Sequence, residues 1–255
     1  MWLSAGGDPN AETRPTWCRG HQLLSAVTDH PELVRLLLDH GAPPHSATHM
    51  ESTPLHCALG AIAGHYANPH VAPDVDEARD ALFATVKLLL NAGADVNAHG
   101  ICRTDTPWSY TKGLTETPTL TPLGQLMNDT SFYCNFFGDD TVLRMARLLL
   151  SRGAEIHWTW WGDTAEDHAR KCNAEYYPVA HQTADFLASV RIAGGWKKYV
   201  HEGRVDLRLL HFLVERGRAT PPPELVQLFS LPRDVFMVVL ACWRSDRDVP
   251  AIDRL

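Results

Sequence analysis

Three clusters of apolar residues along this chain share one local pattern. In each cluster, three consecutive leucines are followed by two further residues and then by Gly-Ala. The clusters occupy residues 34–42, 86–94 and 146–154. The pattern predicts the end of an amphipathic helix that is closed by the glycine. Glycine suits this place because the residue after a helix often takes a left-handed conformation, which is costly for a residue with a Cβ atom.

A second pattern predicts where helices begin. Residues 53–58 read TPLHCA and residues 121–124 read TPLG. Threonine is a good N-cap, and proline is tolerated in the first turn because its missing N–H has no intrahelical partner there. Helices are therefore predicted to start at Pro54 and Pro122.

Together, the two patterns resemble the ankyrin repeat, in which a T-P-L-H-x-A motif opens the first helix and a glycine closes the second. Gly41 and Pro54 stand 13 residues apart, as they do in that family. Residues 93–98, GADVNA, are similar to the family's turn into its β-hairpin finger. The resemblance implies an all-α solenoid of helix pairs with β-hairpin fingers, in which fingers and first helices form a concave binding face.

The resemblance extends over about residues 3–194. It divides this part into a stub and four repeats, at residues 1–19 and at about 20–52, 53–120, 121–162 and 163–194. The closing glycines are 52 and 60 residues apart instead of about 33, so the repeats carry long insertions. Residues 195–255 are predicted to form a helical C-terminal segment.

Two features of the predicted solenoid allow two interpretations each. Residue 1 falls inside the second helix of a repeat, so either the stub caps the stack or the chain is a fragment of a longer protein. The inter-helix insertions are rich in aromatic residues, which either close a satellite core or form an exposed ridge for a partner. These residues include Tyr66, Phe132, Tyr133, Phe136, Phe137, Tyr176 and Tyr177.

Aromatic residues in the predicted fingers form the candidate partner-binding site. They are Trp108, Tyr110, Trp158, Trp160 and Trp161. Tryptophan and tyrosine are typical anchors of protein interfaces, and tryptophans at a solvent-facing tip need a partner or a covering. We expect a protein partner here. The alternative is that the C-terminal segment folds over the tryptophans.

The C-terminal segment is predicted to contain a helix at residues 202–216 and a final helix after Pro232. The final helix is apolar nearly all round, which predicts that it is buried. Residues 231–240 also resemble the opening of an F-box, the helix by which substrate receptors dock onto cullin-type ubiquitin ligases. The matching positions are Leu231, Pro232, Val235 and Leu240. Because only this first helix fits, the segment is either a docking helix or a helical cap for the last repeat.

Charge and composition narrow the classes of function. The formal net charge of -7 argues against nucleic acid or an anionic membrane as the partner. The chain has no apolar run near the roughly 20 residues that cross a bilayer. The six cysteines form no CxxC motif, which indicates free thiols in a reducing compartment. We expect a cytoplasmic protein, with the nucleus as the alternative.

No motif in the sequence predicts catalysis or metal binding. GxSxG, Walker A, GxGxxG and HExxH patterns are all absent. Four close Cys/His pairs occur, about as many as chance would place among 14 histidines and six cysteines, and none has zinc-finger spacing. We therefore expect no enzymatic activity, no metal and no cofactor, and we interpret His56 as the motif histidine of an ankyrin turn.

Overall fold

The computed structural model describes residues 3–12, 22–46, 52–65, 75–101, 119–128, 140–160, 162–171 and 178–242. These residues are mainly helical, in agreement with the all-α prediction. Residue contacts divide the chain into two compact units, unit 1 (Met1–Leu187) and unit 2 (Ala188–Leu255).

Unit 1 contains successive pairs of helices. The pairs are α1 (Leu23–Ala26) with α2 (Pro31–Asp39), α3 (Pro54–His65) with α4 (Val75–Asn91), α5 (Pro122–Asn128) with α6 (Thr141–Ser151), and α7 (Ala165–Lys171) with α8 (Pro178–Ile192), whose last residues belong to unit 2. The first helix of each pair contacts the first helix of the next, from α1 through α3 and α5 to α7. The pairs therefore stack in the order of the sequence.

The second helix of each of the first three pairs ends in the same backbone turn. Gly41, Gly93 and Gly153 have φ angles of 88°, 94° and 96°. After each glycine, the alanine N–H donates to the carbonyl five residues earlier, as in Ala42 to Leu37 at 3.0 Å. This Schellman-type closure confirms that the three glycines end helices.

The helix starts are also as predicted. The Thr53 hydroxyl accepts a hydrogen bond from the His56 N–H at 3.5 Å, and the Thr121 hydroxyl accepts one from the Gly124 N–H at 3.2 Å. Each threonine thus satisfies one of the N–H groups that have no partner within the helix. Helices α3 and α5 begin at the prolines that follow these threonines.

Short antiparallel strand pairs lie in the segments predicted as fingers. Strand β1 (Gly100–Ile101) pairs with β2 (Thr119–Leu120), and β3 (Thr159–Trp160) pairs with β4 (Asp163–Thr164). Each pair precedes a first helix, α5 or α7. The strand pairs therefore connect one helix pair to the next.

The described residues of unit 2 contain the end of α8 and three further helices. They are α9 (Trp196–Glu215), α10 (Val226–Phe229), which follows a 3-10 turn (Pro223–Leu225), and α11 (Arg233–Cys242). Helix α9 begins six residues before the predicted start at residue 202, directly after Gly195, which has a φ of 113°. The added residues include Trp196, Tyr199 and Val200, which stand at the i, i+3 and i+4 positions of one helical face and are half-buried.

The prediction that the final helix is buried is wrong. In α11, Phe236 and Leu240 are 1% exposed, whereas Val235 is 41% and Val238 64% exposed. Phe236 and Leu240 lie four residues apart and so share one face of the helix. The Phe236 ring stacks on His211 of α9 with a centroid distance of 3.9 Å. Unit 2 thus covers one face of α11 and leaves other apolar side chains in contact with solvent.

Candidate functional site: the fingers and their anchors

His56 ties the start of α3 to the next finger. Its Nδ1 lies 2.8 Å from the Thr53 hydroxyl oxygen, and its Nε2 lies 2.8 Å from the Leu120 carbonyl oxygen in β2. A carbonyl oxygen can only accept, so the neutral ring carries its proton on Nε2 and donates it to Leu120. Nδ1 then accepts the hydroxyl hydrogen of Thr53. One buried side chain therefore fixes a helix start and a strand across 64 residues of sequence.

The surroundings of His56 favour the neutral ring. The pKa of His56 is lowered from 6.5 to about 4, chiefly because the ring is buried. The hydrogen bond to Leu120 and the charge of Asp95 oppose this shift, and the nearby His99 adds to it. Strand β1 passes directly over the ring, because a Cβ atom on Gly100 would come within 2.9 Å of it. Glycine is required at position 100 for this close approach.

Asn97 provides a second anchor between successive turns. Its Nδ2 donates to the Gly153 carbonyl at 3.0 Å, and its Oδ1 accepts from the Glu155 N–H at 2.8 Å. Both partners belong to the turn that follows α6, while Asn97 belongs to the turn that follows α4. The two bonds hold these turns in a fixed register. This role was not predicted, although Asn97 lies within the GADVNA pattern.

Trp158 packs between the two fingers and does not lie at the solvent-facing tip that was expected. The centroid of its ring is 3.9 Å from that of His99, at an interplanar angle of 41°. Its Nε1 lies 3.5 Å from the Thr119 carbonyl oxygen in β2, and the residue is half-buried. His99 and Thr119 come from the preceding finger, so contacts between fingers cover part of the indole.

The other finger residues are described only in part. Trp160 lies in β3 with its backbone paired to Asp163, and its side chain lies outside the described residues. Trp108, Tyr110 and Trp161 also lie outside them, as do Tyr66, Phe132, Tyr133, Phe136, Phe137, Tyr176 and Tyr177 of the aromatic insertions. The described part of the candidate site is therefore Trp158 with its neighbours His99 and Thr119.

The F-box-like residues do not share one surface. Leu240 is buried, Leu231 is half-buried, and Pro232 and Val235 are exposed. The apolar side chains that α11 presents to solvent are instead Val235, Met237, Val238 and Val239. Sequence reasoning did not single out Val238, which at 64% is the most exposed of them.

The described residues contain neither a candidate metal site nor a helix that could span a membrane. No group of three or more histidine, cysteine, aspartate or glutamate side chains is placed to hold a metal ion in this part of the chain. No helix that the structure describes is both long enough and apolar enough to cross a membrane.

No protein-family model matches the chain, and no curated protein matches it.

Proposed function

We propose that this chain is an ankyrin-repeat module without enzymatic activity, which binds a protein partner through its fingers. The observation that carries the proposal is the pair of side-chain anchors between successive repeats. The Nε2 atom of His56 lies 2.8 Å from the Leu120 carbonyl oxygen of β2. Asn97 makes two hydrogen bonds, of 2.8 and 3.0 Å, to the turn that follows α6. Fingers held in this way form a row whose spacing is set before a partner arrives.

Such a row suits binding because a preorganised surface loses little conformational freedom on association. The stacking of first helices from α1 to α7 places the strand pairs at one end of successive helix pairs. The residues proposed to anchor the partner are Trp158, Trp160 and Trp161, together with Trp108 and Tyr110 of the longer predicted finger. Trp158 would contribute mainly the part of its ring that His99 leaves uncovered.

The experiment is capture of a partner from cell extract, followed by affinity measurement with variants. Replacing Trp160 and Trp161 together by alanine is expected to weaken binding by about 30-fold or more, since a central tryptophan anchor contributes about 2 kcal/mol or more. Trp196→Ala, in α9 of unit 2, is the matched control and should leave the affinity unchanged. Unchanged affinity in the double variant, with its melting temperature preserved, would contradict the proposal.

A second candidate function is that of a substrate receptor for a cullin-type ubiquitin ligase. The observation that favours it is the exposed apolar surface of α11, with Val235 41%, Val238 64% and Val239 36% exposed. Cullin-complex subunits among the captured proteins, lost on Val238→Asp, would support this function. Val238 is the suitable position because Leu240 is buried and its replacement by aspartate would unfold unit 2. Capture of other proteins that Val238→Asp does not affect would oppose it.

A further inference from the structure

Helix α9 carries an apolar face that the described residues of unit 2 do not cover. Val205, Leu209 and Phe212 are 47%, 56% and 38% exposed. They are separated by four and three residues, so they lie along one side of the helix. His211, which is 4% exposed, faces the interior of unit 2 from the other side of α9. The three exposed residues are named here the α9 stripe.

The two edges of the α9 stripe carry opposite charges. With about 100° per residue, Arg208 lies roughly 60° to one side of Val205, and Asp206 lies about 100° to the other. Both side chains are exposed. Lys197 and Arg204 lie on the same edge as Arg208, and Glu202 lies on the edge of Asp206. Two charges near the helix ends depart from this pattern: Glu215 lies on the edge of Arg208, and Lys198 lies in line with the stripe. Arg216 ends the stripe, its guanidinium lying 4.0 Å from the centroid of the Phe212 ring.

This charge pattern indicates which kind of surface could cover the α9 stripe. An anionic membrane would attract the edge of Arg208 and repel the edge of Asp206, and the same holds for any surface of uniform charge. A second α9 helix that lies parallel to the first presents its acidic edge to the basic edge, and does so on both sides of the contact. An antiparallel pair would instead set like charges against like. A parallel second copy is therefore the complementary occupant.

We propose that two copies of this chain associate through a parallel α9–α9 contact, related by a two-fold axis along the helices. Leu209 is at the centre of the contact, and Val205 and Phe212 lie above and below it. In an in-register pair, Arg208 of one copy and Asp206 of the other are offset by about 3 Å along the axis, within reach of an arginine side chain. The contact is isologous and closes at two copies.

The first test measures the mass of the full chain by sedimentation equilibrium, over about 1 to 300 µM, because a contact as small as two helical turns belongs to the weak end of specific interfaces. A reversible dimer is expected. Leu209→Asp should weaken association by about 100-fold or more, since it places two carboxylates at the centre of the contact. Val238→Asp on α11 is the matched control and should leave association unchanged. Circular dichroism checks that both variants remain folded.

The second test exchanges the charged edges. Arg208→Asp and Asp206→Arg should each weaken the dimer by about 10-fold, and the double variant should return to within about threefold of the wild type, because the exchange restores opposite charges in a parallel pair. A wild-type chain that stays monomeric at the highest concentration would overturn the proposal. The proposal would also be overturned if Val238→Asp weakened the dimer as much as Leu209→Asp does, or if the double variant associated no more tightly than the single variants. Binding of the monomer to phosphatidylserine vesicles through Leu209 would assign the stripe to a membrane instead.

Discussion

Units 1 and 2 are both helical, but they bury their apolar side chains to different extents. In unit 1, Leu55 and Leu89 are fully buried, and Leu123 is 1% exposed. In unit 2, Leu209 is 56% and Val238 64% exposed. Each central helix pair of unit 1 has a neighbouring pair on either side, whereas α9 and α11 each leave an apolar face uncovered. The comparison shows that burial depends on how many neighbours a helix has more than on how apolar it is.

The units also differ in the hydrogen bonding of their buried histidines. In unit 1, both ring nitrogens of His56 have hydrogen-bond partners. In unit 2, His211 Nε2 is buried without a hydrogen-bond partner among the described residues, and Nδ1 lies 3.8 Å from the Glu215 carboxylate. A satisfied polar side chain fixes the register of two elements, whereas an unsatisfied one costs stability. The His56 bonds therefore specify one arrangement of unit 1, and the His211 ring contributes through stacking.

The largest difference between the units is expected from leucine truncation. Leu149→Ala, at a fully buried position of α6, should lower the free energy of unfolding by about 3–4 kcal/mol through lost burial and a cavity. Leu209→Ala, at a 56% exposed position of α9, should change it by less than about 0.5 kcal/mol. Urea denaturation of both variants at a concentration where the chain is monomeric measures the contrast. Similar losses in the two variants would remove the distinction drawn between the units.

The pH dependence of stability tests whether His56 is neutral in the folded chain. The pKa of His56 is lowered from 6.5 to about 4 in the folded chain, so the unfolded chain binds more protons between these values. The contribution of neutral His56 to the free energy of unfolding is therefore complete above pH 6.5 and is lost as the pH falls towards 4. Between pH 7 and 4.5 the loss is about 2 kcal/mol.

His56→Gln should remove this part of the pH dependence. His157→Gln, at an exposed position of the same unit, is the control for the general effect of acid on carboxylates. The measured quantity is the difference between wild type and variant in unfolding free energy at the two pH values. If this difference is the same at pH 7 and pH 4.5, His56 is not the buried neutral group inferred from its bonds.

The anchor at Asn97 is expected to have a smaller effect. Asn97→Ala removes the bonds to Gly153 and Glu155 and should cost about 1 kcal/mol, because both bonds lie near the surface. Asn10→Ala is the matched control. Asn10 lies in a similar turn, in which its N–H bonds to the Asp8 carboxylate as the N–H of Asn97 bonds to Asp95. Equal melting temperatures for the two variants would show that the bonds of the Asn97 side chain do not stabilise unit 1.

The smallest effect is expected at His211. His211→Leu removes a buried nitrogen that has no partner and keeps an apolar side chain against Phe229 and Phe236. The loss of stacking and the removal of the unsatisfied atom oppose each other, so stability should change by less than about 1 kcal/mol. Thermal unfolding measures it. A loss above about 2 kcal/mol would mean that the imidazole makes a bond that unit 2 requires.

The sequence by itself determined the local features of unit 1. Gly41, Gly93 and Gly153 end helices, and Thr53 and Thr121 cap the next ones, because these effects depend on backbone conformation and on groups within a few residues. The places of the finger strands also followed from the sequence, since they lie between a closing glycine and the next capping threonine.

The tertiary structure alone decided which surfaces are covered. The apolar pattern of α11 gave no means to tell buried Phe236 from exposed Val238, because that depends on which neighbouring helix is present. The contact of Trp158 with His99 joins residues 59 positions apart, and the bond of His56 to Leu120 joins residues 64 apart. Local propensity carries no information about such distant partners. They are set by the stacking of successive helix pairs, which brings each finger against the next.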